Sequence, residues 1–312
     1  MSEIMQMDRR QMMLRSVGAG VTATLAVLPT AFAQSPAPKR NATAAKKAND
    51  GPKVALVLGS GSARGFAHIG VIKALEASNF KPDIVVGTSA GALVGALYAS
   101  GMNGAQMEDL ALKVKDIEIV DFATGSKRGM VMGDTLQRYV NMATRNRQIE
   151  DLGMELAIVA TQLRTGEITV MRRGEIGLAV RASCSVPGVF IPPKIGDIEY
   201  VDGALVSPVP VRVARQLGAD IVVAVDVSSA PLNATPAGIY EQVMHSFEIM
   251  GRSLARLEAD QADVIIRPEV GRIPSTDFNA RAAFIALGDS AGARFAPVVR
   301  EKIRDWKTKR GL

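Results

Sequence analysis

The stretch 84-IVVGTSAGALVGAL-97 decides how this chain is read. Ile84, Val85 and Val86 favour a buried strand, and the Ala/Leu-rich run after Gly91 favours a helix. Between them stands Gly87-Thr88-Ser89-Ala90-Gly91. A serine between two glycines at such a switch has a mechanical use. A sharp turn lifts the hydroxyl above the sheet edge, its neighbours must lack bulk, and the next helix points its N-terminus at the site. A plain tight turn uses the same residues, so the rest of the chain has to separate nucleophile from turn.

Working outward, 53-KVALVL-58 is a second buried run, followed by 59-GSGSARG-65 and a helical stretch from Phe66 to about Ser78. Strand, helix, strand in that compass predicts a βαβ unit with parallel strands. Helical patterns over 104–116, 133–144, 174–183 and 208–217 alternate with strand patterns at 155–163, 167–172, 198–201, 220–227 and 264–268. This rhythm predicts helices on both faces of a mostly parallel sheet. Ile239, Val243, Phe247, Met250, Leu254 and Leu257 recur with the α-helical period and are expected to pack into the core.

Composition narrows the function. The chain has 312 residues, 47% of them apolar and 22% charged, enough for one large core. Aromatics make up only 4%, and the net charge of +6 is mild and diffuse, which argues against nucleic acid as a partner. Arg9-Arg10 precedes an uncharged stretch from Ser16 to Ala33 that ends in Ala31-Phe32-Ala33. That is the pattern of a twin-arginine-like export signal with a peptidase site, predicting removal of 1–33 and a periplasmic or secreted location. Residues 34–52 read as an Ala/Pro/Lys-rich tether and 53–312 as the folded domain. A single cysteine, Cys184, permits no internal disulfide. With only two histidines, His68 and His245, no metal or cofactor is expected.

A serine nucleophile needs a base. His68 falls inside the first helix, and His245 lies on a long helix rather than a loop. A triad of Ser89, Asp202 or Asp226, and His245 is arithmetically possible. Asp202 has the better placement, because it directly follows a strand and precedes Gly203, as Ser89 follows its own strand. An Asp-Gly turn is the ordinary alternative. The loop 59–65 offers backbone N–H groups at a helix entrance, an anion site. It lacks the Gly-Lys-Ser/Thr of a P-loop. The second strand also ends in Gly-Thr-Ser-Ala-Gly, not in the acid a dinucleotide fold uses, so an oxyanion is the better-matched anion.

Taken together, the glycine-rich loop with Arg64-Gly65, Gly87-x-Ser89-x-Gly91 and Asp202-Gly203-Ala204 resemble the patatin-like phospholipase family. The segments 181-RASCSVPGVFIPPKIGDIEYVDGALVSPVPV-211 and 264-VIIRPEVG-271 extend the resemblance over about 53–295. It implies a patatin-like three-layer α/β/α fold with a mostly parallel central sheet. It also implies a Ser-Asp dyad, Ser89 as nucleophile and Asp202 as base, and an oxyanion hole on Gly59, Ser60, Gly61 and Ser62, closed by Arg64 and Gly65. The implied substrates are lipid or phospholipid esters, with possible peripheral membrane contact. The chain departs from the family pattern at Ser60, Ser62 and Ala204, where glycine is common, so positive φ there would matter. A triad esterase using His245 and a non-catalytic lipid-binding module are the competing readings.

Overall fold

The computed structural model describes residues 51–114, 120–228 and 238–311. The expected signal segment 1–33 lies outside the described residues, as does the tether 34–52 except for its last two positions.

The apolar runs form the centre of the sheet. β1 (Val54–Leu58) and β2 (Ile84–Thr88) are buried at every residue, as strands covered on both faces must be. The helix α1 (Phe66–Ala77) joins them, and they pair in parallel with Ala55 opposite Ile84. Next come α2 (Ala90–Ala99), α3 (Gly104–Lys113) and α4 (Asp134–Ala143). Asn103 opens α3 with a capping box closed by Gln106. Strand β3 (Glu155–Gln162) lies parallel to β2, and β4 (Ile168–Met171) folds back along it. After α5 (Ile176–Ser183), β5 (Lys194–Ile195) and β6 (Ile198–Asp202) add two antiparallel pairings. The chain then crosses through α6 (Val211–Gln216) to place β7 (Ile221–Val225) on the free side of β1. A long α7 (Ile239–Ala259), β8 (Val264–Ile266) parallel to β7, and α8 (Arg281–Lys309) complete it.

Alternation along β1 divides the molecule into layers. Val54, Leu56 and Leu58 face a core shared with α1, α2 and α8. Ala55 and Val57 face a second core with Val211, Val213 and Ala214 of α6 and Ala255 and Ala259 of α7. This is the expected three-layer α/β/α arrangement, with parallel pairing throughout its central strands.

One detail of the sheet positions the site. β4 pairs with β3 over Ile158–Thr161, overlapping both the β2 pairing (Glu155–Val159) and the β6 pairing (Ala160–Gln162). A strand has two edges, so β4 occupies one, and β2 and β6 share the other end to end. Thr88 lies opposite Val159 and Asp202 opposite Ala160. The two strands therefore run toward each other and stop at neighbouring positions.

Two long helices behave differently from each other. In α8 the small residues sit against α1: a Cβ on Gly288 would stand 1.9 Å from the Ala67 carbonyl oxygen, and one on Gly70 1.9 Å from that of Ile285. The backbones touch, and no larger residue fits. The helical stretch Phe278–Lys309 is long and apolar enough to cross a membrane, yet Phe284, Ile285, Gly288, Ala291 and Gly292 are buried within the fold.

The stripe on α7 corrects the expectation of core packing. Ile239 is 84% exposed, Leu257 68%, Met250 53% and Val243 47%. Phe247 and Leu254 are half-buried. The buried face of α7 is instead Ala255, Glu258 and Ala259 in its last turns. Helical period identifies one face of a helix but not which face meets the sheet, and here small residues made the close contact.

Candidate active site

Ser89 stands at the bend between β2 and α2, with φ 55° and ψ −123°. This conformation is costly for a residue with a side chain, and its surroundings must hold it. Gly87 and Gly91 make the bend possible. A Cβ on Gly87 would lie 2.5 Å from the Gly91 carbonyl oxygen, and one on Gly91 2.1 Å from that of Leu58. Ser89 occupies the N-cap position of α2 but makes no side-chain cap. Its Oγ donates instead to Asp202 Oδ2 at 2.7 Å.

The head-to-head meeting of β2 and β6 produces that distance. Asp202 Oδ1 accepts from the Ala204 N–H at 2.8 Å, and the Asp202 N–H donates to the Ser185 carbonyl at 2.9 Å. Thr161 Oγ1 donates to the Asp202 carbonyl at 2.9 Å. Ser89 is 8% exposed and Asp202 4%. Burial pushes the Asp202 carboxyl up to about 6, against the opposing pull of its hydrogen bonds from Ser89 and Ala204. No histidine stands between the pair.

Ser183 completes the elbow. The Ser89 N–H donates to Ser183 Oγ at 2.8 Å, and Ser183 Oγ donates to the Val159 carbonyl at 2.6 Å. No spacing in the sequence marks Ser183 for this task; only the family resemblance of 181–211 touches it. Cys184, next along, keeps its proton: burial pushes the thiol up, and the Asp202 charge adds to it.

The glycine-rich loop corrects the expected donor set. The Gly59 N–H is bonded to the Val225 carbonyl at 3.0 Å and the Ser60 N–H to the Pro208 carbonyl at 2.8 Å. Neither amide is available to an oxyanion. The N–H groups of Gly61 and Ser62 have no acceptor among the described residues. Ser62 takes φ 52°, the left-handed region that glycine would occupy without penalty, while Ser60 and Ala204 do not have positive φ. Arg64 is buried and turned away: its Nε donates to the Ile273 carbonyl at 3.3 Å, and Nη1 lies 3.6 Å from Glu248. Gly65 lets the loop approach Ala90 at the head of α2.

The histidines fall elsewhere. His68 is fully buried, and its Nε2–H donates to the Gly59 carbonyl at 2.7 Å. Burial pushes its pKa down to about 4, so the ring is neutral at physiological pH and braces the loop. His245 is half-buried on α7 and makes no hydrogen bond among the described residues. Asp226, the other candidate acid for a triad, is held by Arg267 at 3.1 Å. A cavity of about 360 Å³ is lined by Asp226, Ser228, Arg252, Arg256, Asp260 and Arg267. It lies apart from the Ser89–Asp202 pair in its lining residues. Among the described residues, no cluster of three or more His, Cys, Asp or Glu side chains is arranged to hold a metal.

With the fold and this geometry in hand, comparison with known proteins places the chain. The family model for patatin-like phospholipases matches residues 56–215. The chain belongs to the patatin-like phospholipase family. It is 35% identical over 187 residues to patatin-like phospholipase domain-containing protein 6 of Mus musculus, covering 57% of this chain and 14% of the mouse protein. An uncharacterised NTE family protein of Mycobacterium tuberculosis is 32% identical over 198 residues, covering 62% of this chain and 52% of that one. The chain thus spans a small part of the mouse relative and about half of the mycobacterial one. Among solved structures, VipD from Legionella pneumophila superposes with a TM-score of 0.56 at 15% identity, over 80% of this chain and 67% of VipD. That likeness is one of fold.

Proposed function

We propose that this chain is a lipid acyl hydrolase that cleaves carboxylic esters through a Ser89–Asp202 dyad. The observation that carries the proposal is the 2.7 Å hydrogen bond from Ser89 Oγ to a buried carboxylate whose proton affinity burial has raised. Membership of the patatin-like phospholipase family supports the lipid class of substrate.

The proposed reaction draws on this geometry at each step. An ordinary aspartate, with a pKa of about 4, is a weak base for a hydroxyl. Held near 6, Asp202 is still ionised at neutral pH and accepts the proton more readily. As Ser89 Oγ attacks the ester carbonyl, its proton passes to Asp202 and negative charge grows on the carbonyl oxygen. The unpaired N–H groups of Gly61 and Ser62 are the donors for that charge, each contributing about 3–4 kcal/mol in comparable sites. The proton then goes from Asp202 to the leaving alkoxide. Water, deprotonated by Asp202, attacks the acyl carbonyl; the fatty acid leaves and Asp202 returns the proton to the departing Ser89 Oγ.

The test is product analysis by mass spectrometry from mixed phospholipids and neutral glycerides. Wild type is expected to release fatty acid, and Ser89→Ala and Asp202→Asn to release none above background. A fluorophosphonate probe is expected to label Ser89. His245→Ala keeps full activity under the dyad and loses it under a triad. A folded wild-type protein that takes no probe would return the chain to a lipid-binding role. We further propose export, from Arg9-Arg10 ahead of the uncharged 16–33 stretch and Ala31-Phe32-Ala33. The mass of the mature N-terminus checks it: cleavage after Ala33 is expected.

A further inference from the structure

We infer that the polar cavity at the carboxyl ends of β7 and β8 is a binding site for a phosphoryl anion, held between Arg252, Arg256 and Ser228. The site is separate from the Ser89 reaction and does not depend on it. Asp226 follows the last residue of β7, and Arg267 the last of β8. Open α/β sheets bind ligands in crevices outside the carboxyl ends of their strands. At about 360 Å³ the cavity is of a size that small ligands fill.

Charge identifies the occupant. The buried Asp226 accepts from Arg267 Nε at 3.1 Å and from the Ser228 N–H at 3.0 Å. Asp260 lies 3.7 Å from Nη2 of the same arginine. Both acids of the cavity are therefore committed to Arg267. Arg252 and Arg256 stand one turn apart on α7, and their guanidinium groups make no ion pair or hydrogen bond among the described residues. They face away from the apolar ridge, since Arg252 is about half a turn round the helix from Met250. Like charges four residues apart weaken a helix, yet these two line one cavity, and Arg252 is half-buried there. Three arginines against two aspartates leave one positive charge in excess, which an anion would neutralise.

The lining also selects the chemical class. Guanidinium forks pair with the oxygens of a phosphoryl group through two parallel hydrogen bonds. Ser228 Oγ, which has no partner among the described residues, supplies a further donor. None of the lining residues is apolar, so the tail of a fatty acid finds no wall here. A phospholipid headgroup and free phosphate share the chemistry that fits. The site lies beside the glycine-rich loop. Val227, between Asp226 and Ser228, packs against Gly61, where a Cβ would stand 2.5 Å from Val227 Cγ2. The cavity thus shares the end of β7 with the loop that carries the free Gly61 N–H.

The experiment is equilibrium dialysis of the full chain against radiolabelled inorganic phosphate, with ionic strength held constant by sodium chloride so that diffuse attraction is screened equally. Wild type is expected to bind phosphate saturably at one site per chain. Arg252→Gln/Arg256→Gln is expected to bind at least about tenfold more weakly, with circular dichroism showing that it is folded. Should that variant fail to fold, Arg256→Gln, at an exposed position, carries the test and is expected to bind severalfold more weakly. Absence of saturable binding by wild type overturns the inference, and so does wild-type affinity in the folded variant. Competition names the source. Displacement of the label by glycerophosphoglycerol, a headgroup without acyl chains, at concentrations comparable with unlabelled phosphate assigns the site to phospholipid. Displacement by phosphate alone assigns it to the free anion. Every arm reads binding, so a failure of the hydrolase reading leaves this test unchanged.

Discussion

At the scale of the residue, the central quantity is the proton affinity of Asp202. Its carboxyl is held at about 6 by burial, above the ordinary value of 3.8. Activity should therefore rise with pH through about 6 as the base ionises, an acid limb to be read from kcat/KM profiles on a soluble ester. Asp202→Asn should lower kcat about a hundred- to ten-thousandfold. The same shift has a stability consequence. The folded state holds this proton more tightly than the unfolded chain, so stability falls as pH rises from about 4 through 6 and stays lower above that. Asn carries no charge. Asp202→Asn should stabilise the fold above about pH 7, by on the order of 1–3 kcal/mol, with the gain vanishing below about pH 4; urea unfolding at the two pH values measures it. Ser183→Ala leaves the buried Ser89 N–H without its acceptor and should cost about 1–3 kcal/mol. It should lower kcat more than it raises KM, because the elbow loses a support rather than a substrate contact. The bend at Ser89 and the strand-end position of Asp202 were legible in the sequence, since both residues end strands and border glycines, while their pairing as nucleophile and base was an expectation from the family resemblance. Ser183 was not legible, because its role depends on α5 ending beside β2, a contact across 94 positions of chain.

At the scale of the element, the glycine-rich loop separates what pattern reveals from what it hides. Its composition predicts an anion site, but composition cannot say which amides remain unpaired. Val225 and Pro208 arrive from distant parts of the chain and consume the N–H groups of Gly59 and Ser60. Ser62 holds a left-handed conformation at φ 52°. Ser62→Gly should relieve it, keeping turnover within about twofold while raising the melting temperature slightly, corresponding to about 0.5–1 kcal/mol. A large loss of activity would mean that the serine hydroxyl, and not only its amide, serves the reaction. The α7 stripe shows the opposite limit. Its period was read correctly as helix and its face wrongly as core, because a helix of this composition has both an apolar ridge and a small-residue face. Ala255 and Ala259 allow close approach to the sheet, and the larger side chains were left outside.

At the scale of the whole molecule, α8 locks against α1 through backbone contact at Gly70 and Gly288. Gly288→Leu has no space within the existing packing and should destabilise by more than about 3 kcal/mol, or prevent folding. Soluble yield and chemical denaturation measure it, and α1 carries His68 and follows the glycine-rich loop, so activity should fall with stability. By itself the sequence determined the alternating strands and helices, the bend at Ser89 and the layered α/β class, because these depend on local period, turn chemistry and side-chain volume. Tertiary structure alone decided that β6 runs back along β3 to stop opposite Ala160, one position from the end of β2. It also decided which amides stay free and which face of α7 meets solvent. The physical reason is that strand direction, edge and helix rotation are fixed by packing and hydrogen bonds between segments far apart in the chain, and no local pattern encodes a partner it has yet to meet.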